Sequence, residues 1–314
     1  MAISRRQFLS RTLAGAGALQ FWANASAHSF PSTGASLKIS LAQWSLHRAF
    51  RQQTLDPANF AAIARNTYQL DAVEYVSGFY MDRGGDEKFW LDMRRRSESA
   101  GVRNLLIMVD DEGDLGTPNE KERSRAVENH YKWVHAAHLL GCHSMRVNAF
   151  GTGDRASVRA ALLDGMSRLA DYAAKTNINV IIENHGLFSS DGKLIAGIIS
   201  ESDRPNLGTL PDFGNWCTSH KWGSSQETCD SFYDRYEGVA DLLPFARGVS
   251  AKSYDFDASG NETRIDYLKM IKLVKASGFT GHIGIEYEGN QLSEPDGIRA
   301  TRALLEKAWK QATE

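Results

Sequence analysis

Short apolar runs alternate with longer segments whose apolar residues recur at spacings of three and four, about eight times along this chain. The runs are Lys38–Gln43, Ala72–Val76, Val102–Val109, Ser144–Asn148, Asn179–Glu183, Leu207–Asp212, Gly248–Lys252 and His282–Tyr287. Between them lie amphipathic patterns such as Ala126-Trp133-Ala137-Leu140 and Val158-Leu162-Met166-Leu169. A strand that is apolar on both faces must be covered on both, and intervening helices are the cover that parallel strands receive. Eight such units predict an α/β fold of the closed (β/α)8 TIM-barrel type; a doubly wound open sheet usually has fewer. No GxGxxG follows the first run, so a dinucleotide fold has no support. One domain over residues 37–314 accommodates all eight units. Two long stretches, Asp110–Asn119 and Trp216–Ser231, follow strands three and six and are candidate lids on the catalytic face.

The start of the chain reads as an export signal over residues 1–27. Ser4-Arg5-Arg6-Gln7-Phe8-Leu9 is a twin-arginine pattern, a weakly apolar stretch runs from Leu13 to Trp22, and Ala23-Asn24-Ala25-Ser26-Ala27 offers small residues for cleavage. Residues 28–36 are a polar, Pro/Gly/Ser-rich linker. The expected partner is the twin-arginine export machinery, and the expected destination is the periplasm or the exterior. Cleavage removes Arg5, Arg6 and Arg11 and takes the formal charge from −2 to −5. An acidic, unpatterned surface excludes a nucleic-acid groove, and no second long apolar stretch predicts a membrane span in the mature chain. Three cysteines are too few for a disulfide scaffold. Cys142 lies beside a predicted buried strand and reads as a core thiol. Cys217 and Cys229, twelve apart, can pair in an oxidising compartment.

Glu183, Asp212 and Glu286 each end a predicted strand, in Ile182-Glu183-Asn184-His185-Gly186, Pro211-Asp212-Phe213-Gly214-Asn215 and Gly284-Ile285-Glu286-Tyr287-Glu288. Three buried acids at one barrel mouth demand a cation or basic partners, and they are the candidate ligands of a hard divalent ion. His185 is a candidate acid–base group, substrate contact or additional ligand. Lys252, at the end of strand seven, is either a catalytic lysine with a depressed pKa or a counter-ion to the acids. Gln43, Trp44 and His47 after strand one, Glu74 at the end of strand two, Arg146 and Asn148 on strand four, and Asn215, Trp216 and Glu288 near the other acids are candidate substrate-binding residues. Such polar groups suit sugar hydroxyls, and Trp44, Tyr75, Phe213 and Trp216 could stack on sugar faces. His130, His135 and His138 share helical spacing but fall far from the strand ends, and are read as a solvated face.

The barrel with Glu, Asp and Glu on strands five, six and eight resembles the xylose-isomerase-like sugar isomerase/epimerase superfamily. Ser40-Leu41-Ala42-Gln43-Trp44-Ser45-Leu46-His47, Gly208-Thr209-Leu210-Pro211-Asp212-Phe213-Gly214 and Gly284-Ile285-Glu286-Tyr287-Glu288-Gly289 are similar to its secreted bacterial branch. The resemblance spans residues 38–310 and implies Mn²⁺ or Mg²⁺ on Glu183, Asp212 and Glu286, with Zn²⁺ or Co²⁺ as other choices. It also implies that Glu183 and Glu286 relay a substrate proton. The family's fourth ligand, usually a strand-seven histidine, falls on Ser250, with Lys252 nearby. His185 is the alternative for completing the shell.

The implied activity is metal-dependent isomerisation or epimerisation of a keto-sugar through an enediolate. A lyase or hydratase acting on 3-keto-glycosides by β-elimination would use the same intermediate, and export favours free or glycosidic sugars over sugar phosphates. A phosphodiesterase of the endonuclease-IV type would need several rim histidines where this chain offers essentially His185. A non-catalytic periplasmic sugar-binding protein would need the rim aromatics but not the acids. Homo-oligomerisation through exposed helices is open.

Overall fold

A computed structural model describes residues 36–222 and 229–313. The expected signal and all but the last residue of the linker lie outside the described residues. Eight strands form: β1 Ile39–Ala42, β2 Ala72–Val76, β3 Arg103–Met108, β4 Ser144–Asn148, β5 Asn179–Glu183, β6 Leu207–Leu210, β7 Val249–Ser253 and β8 Ile283–Tyr287. Their partners run parallel in the order β6-β5-β4-β3-β2-β1-β8-β7. The seam between β6 and β7 is joined by the parallel bridges Thr209–Ala246 and Asp212–Ser250, so the sheet curls round as the (β/α)8 barrel expected from the alternation.

A principal helix follows each strand: α1 Phe60–Tyr68, α2 Glu87–Ser99, α3 Glu120–Leu140, α4 Arg155–Ala174, α5 Gly192–Ser202, α6 Arg235–Leu242, α7 Tyr267–Ala276 and α8 Glu294–Gln311. Most start on a side-chain cap that satisfies otherwise orphaned amides, as when Asn119 accepts from the Lys121 and Glu122 N–H groups at 3.1 and 3.2 Å. Gly141 ends α3 at φ +82°, a left-handed position that glycine enters without penalty. β2, β4, β7 and β8 are buried along their whole length, so the polar residues they carry, among them Glu74, Arg146, Lys252 and Glu286, are buried with them. Trp90 of α2 and Trp133 of α3 meet edge to face at 6.1 Å and seal one side of the core.

His130 departs from the solvated face expected of it. Spaced three and seven residues before Trp133 and Ala137, it shares their buried stripe, and its Nδ1 pairs with the Ala126 carbonyl at 2.7 Å. His135 and His138 are exposed as expected. Cys142 is the buried free thiol anticipated, and Cys217 is bonded to Cys229.

Trp216 lies buried against α6, where a Cβ on Gly238 would come within 2.1 Å of its ring. Helix propensity would reward Gly238→Ala by about 1 kcal/mol, but overpacking a rigid indole costs about 1–3 kcal/mol. Packing should win, so Gly238→Ala lowers the thermal midpoint. Gly197→Ala in α5, where nothing lies within 4 Å, leaves it unchanged or raises it. A melting comparison of both variants checks the sign, and a stabilised Gly238→Ala would contradict this packing.

Candidate metal centre and substrate cleft

Glu183 is the last residue of β5, and Glu286 is the fourth of β8. Asp212 lies two residues beyond β6, because Pro211 has no N–H to extend the ladder. Its turn is fixed from both sides. The Asp212 N–H donates to Asn184 Oδ1 at 2.7 Å, and Asn184 Nδ2 returns bonds to the Asp212 and Asn215 carbonyls at 3.1 Å. Asp212 Oδ1 accepts from the Gly214 and Asn215 N–H groups at 2.7 and 2.8 Å, which leaves Oδ2 for the barrel mouth. One carboxylate oxygen from each of Glu183, Asp212 and Glu286 lies within 4.8 Å of the others. All three residues are buried.

The cluster carries more negative charge than its neighbours neutralise. Arg146 Nε stands 2.7 Å from Glu183 Oε2, poorly aligned for a hydrogen bond, while its Nη1 pairs with Asp110. Lys252 Nζ donates to Glu286 Oε1 at 2.9 Å and to Glu288 Oε2 at 3.0 Å. Ser250 Oγ lies 2.6 Å from Asp212 Oδ2 and 3.0 Å from Glu286 Oε2, and its single proton can serve one of them at a time. Glu74, Asp110, Glu183, Asp212, Glu286 and Glu288 thus face two buried cations, Arg146 and Lys252. Burial pushes Asp212 up to about 6 and Glu183 well above the carboxylate range, in both cases with Glu286 adding to the rise. Glu183 Oε2 has no aligned donor. The oxygen donor set, its closeness and its surplus charge fit a hard divalent cation.

The other acidic groups behave differently. Glu74 lies two residues short of the end of β2, not at the rim as expected, and so sits about 7 Å deeper in the barrel. There Ser40 Oγ donates to its Oε1 at 2.5 Å, its Oε2 is unpartnered, and burial raises it to about 7. Asn215 Nδ2 donates to Glu183 Oε1 at 3.2 Å. Glu288 accepts from Trp44 Nε1 at 2.8 Å; burial works against its charge, but Lys252 and Trp44 hold it below the usual range.

Lys252 does not have the depressed pKa considered for it. Burial alone would lower it, but Glu286, Glu288 and Asp212 hold it well above its ordinary value, so it is the counter-ion of the two alternatives. His185 lies outside the three-residue ligand group; its Nδ1 pairs with Asn148 Oδ1 at 2.9 Å. Asn148 Nδ2 in turn donates to Asp110 Oδ1 at 2.8 Å. Burial and then Arg146 lower His185 to about 3, so its imidazole is neutral at physiological pH.

Several expected substrate contacts are engaged within the protein itself. Gln43 is fully buried, accepting from the Val76 N–H at 2.9 Å and donating to Tyr80 at 2.7 Å. His47 stacks on Trp44 at 4.9 Å and pairs with the Trp44 carbonyl. Trp216, Tyr75 and Phe213 are buried in the core, away from any sugar face. The strands bend into turns at the rim, and there the two-residue alternation no longer tells inward from outward.

A cavity of 420 Å³ opens beside the acids, lined in part by Trp44, Arg146, His185, Glu286 and Glu288. Sequence reasoning missed Asp110, Asp111, Phe79 and Trp222, which line it too. Asp110 and Asp111 fall in one candidate lid and Trp222 in the other, with no individual role, although Asp110 directly follows the third apolar run. Cys217, His220 and Cys229 also lie together, but the disulfide removes both thiolates as metal ligands.

The Glu74 carboxyl gives this centre a pH signature. Its folded pKa of about 7 exceeds its ordinary 4.5, so it favours the folded state below pH 4.5 and loses that contribution as pH rises to about 7. At about 1.4 kcal/mol per pKa unit the loss amounts to ~3 kcal/mol. Denaturant unfolding of chelator-treated protein should therefore show a smaller fall between pH 4.5 and 8 for Glu74→Gln than for wild type. Equal falls would contradict the assignment.

The profile of the xylose isomerase-like TIM barrel family matches residues 63–308. Among solved structures, D-psicose 3-epimerase with D-tagatose from Clostridium cellulolyticum H10 superposes with a TM-score of 0.60 at 12% identity, covering 88% of this chain and 97% of that one. A xylose isomerase-like TIM barrel protein from Mycobacterium smegmatis in complex with magnesium gives 0.62 at 14% identity, covering 89% and 98%. Among curated sequences, the C-glycoside deglycosidase alpha subunit of Arthrobacter globiformis is 29% identical over 80 residues, 24% of this chain and 23% of that subunit. The match over residues 63–308 and the eight-stranded parallel barrel together identify the chain as a member of the xylose isomerase-like TIM barrel family.

Proposed function

We propose that this protein is a divalent-metal-dependent carbohydrate isomerase or epimerase that moves the proton on a carbon next to a carbonyl. The observation that carries this reading is the convergence of Glu183, Asp212 and Glu286 oxygens within 4.8 Å in a buried pocket with surplus negative charge. These three residues would hold the ion, Mn²⁺ or Mg²⁺ by the hardness of the donors. Bound there, it would polarise a carbonyl and an adjacent hydroxyl and stabilise the charge left when the α-proton departs.

The chain's own residues divide the remaining work. Glu183 and Glu286 are the proton carriers, one removing the α-proton and the other returning one from the opposite side. Arg146 and Asn215 orient Glu183, while Lys252 and Ser250 orient Glu286. Lys252 stays an ammonium and restrains the charge of Glu286 and Glu288. Neutral His185, held by Asn148, suits a hydroxyl contact, and Arg146 and Glu288 are further substrate-binding groups on the cavity wall. The Cys217–Cys229 disulfide also suits an oxidising compartment, in keeping with export by the twin-arginine route to the periplasm.

A second reading, β-elimination from a 3-keto-glycoside, starts with the same proton removal. The partial match to the C-glycoside deglycosidase alpha subunit favours keeping it. Incubation of Mn²⁺-supplemented protein with ketohexoses, ketopentoses and 3-keto-glucosides in D₂O tests both. We expect deuterium at the carbon next to the carbonyl, lost by at least about 10²-fold in Glu183→Gln and in Glu286→Gln. A new epimer marks the first reading and a released aglycone the second. Exchange that survives both substitutions, or none across the panel, would contradict the proton-relay assignment.

A further inference from the structure

The cleft offers apolar and aromatic surface beside its charged groups. The cavity has room for about fourteen waters at ~30 Å³ each, and a single hexose ring leaves much of its 420 Å³ open. Its lining is mixed: Asp110, Arg146, Glu286 and Glu288 are among the charged groups, while Val76, Phe79 and the Trp222 indole add apolar surface.

Trp222 is 40% exposed, unlike the core tryptophans Trp90, Trp133 and Trp216. Its φ is +71°, in the left-handed region that is unfavourable for a bulky residue and persists where surrounding contacts enforce it. Those contacts are present. Lys221 bridges antiparallel to Gly186, and the Leu187 N–H donates to the His220 carbonyl at 3.1 Å. Lys221 Nζ pairs with Asp114 at 3.1 Å and lies over the Phe150 ring at 4.5 Å. The Cys217–Cys229 disulfide closes the loop that carries the turn. Phe150 and His185 meet the indole at near right angles, at 5.3 and 5.2 Å, so neither is stacked flat upon it.

We infer that the Lys221–Trp222 turn, pinned to the rim by the Cys217–Cys229 disulfide, is an aromatic subsite for a planar apolar ring carried on the sugar. The ligands are then aryl glycosides rather than free monosaccharides. This rests on the carbohydrate reading above and narrows it, because a glycoside's ring is closed and its reactive carbonyl must lie on a ring carbon. Trp222 acts as a specificity-determining residue, stacking on the aglycone while the sugar lies toward Arg146 and Glu286.

Calorimetric binding of paired phenyl and methyl β-D-glucopyranosides, galactopyranosides and xylopyranosides to the oxidised, Mn²⁺-supplemented mature protein tests the inference. The phenyl member of at least one pair should bind about tenfold tighter. Trp222→Ala should erase that advantage and leave the methyl glycoside within about twofold, while Trp222→Phe keeps most of it. The double variant Cys217→Ser/Cys229→Ser should lose it as Trp222→Ala does, and retention there would overturn the pinning role. Equal affinity for phenyl and methyl members, or a preference that survives Trp222→Ala, would overturn the subsite and leave the carbohydrate reading standing. Binding by none of the six glycosides would also overturn the subsite, while the deuterium-exchange assay decides the carbohydrate reading separately.

Discussion

Six carboxylates crowded against two buried cations, Arg146 and Lys252, set the terms for the rest of the structure. Isolated buried carboxylates are expelled, protonated or paired, since their desolvation costs several kcal/mol each. Here each of Glu183, Asp212 and Glu286 instead has one oxygen held by a fixed donor. Asp212 gives Oδ1 to two backbone amides, Glu286 gives Oε1 to Lys252, and Glu183 gives Oε1 to Asn215. Carboxylate oxygens of the three lie within 4.8 Å of one another with only Ser250 and Arg146 beside their second oxygens, an arrangement that costs stability unless a cation joins them.

The barrel is closed by the residues that make this arrangement. Asp212 pairs with Ser250 across the β6–β7 seam, where the sheet has no regular ladder. Asn184, directly after Glu183, carries the three hydrogen bonds that lock the Asp212 turn to β5. Lys252 stands in register with Glu286 on β8. Scaffold and site therefore share residues, and a substitution at Asn184 or Ser250 alters both at once.

The fold was legible because its signal is redundant. β2, β4 and β5 begin and end at the residues the apolar runs indicate, and the eight-unit alternation leaves few other architectures. The three acids were legible for a related reason, since a charged residue ending an apolar run is costly without a purpose. What the sequence could not convey is depth and direction beyond the strand ends. Glu74 looked like a rim residue but lies inside the barrel, Gln43 and Trp216 turn into the core, and Lys252 keeps its proton because two glutamates surround it. Asp110 and Trp222 fell within the candidate lids without a role of their own, because their contacts are with residues 36 or more positions away in the chain, Arg146 and His185. Periodicity carries no information about such long-range partners.

The central claim is that the surplus charge exists to hold a divalent cation. Calorimetric titration of Mn²⁺ into chelator-stripped protein, wild type beside Asp212→Asn, tests it most directly. The account predicts one ion per wild-type chain and at least about a tenfold weaker affinity in the variant, the loss of one of three charged ligands. No binding by the folded wild type, or equal binding by the two proteins, would contradict it.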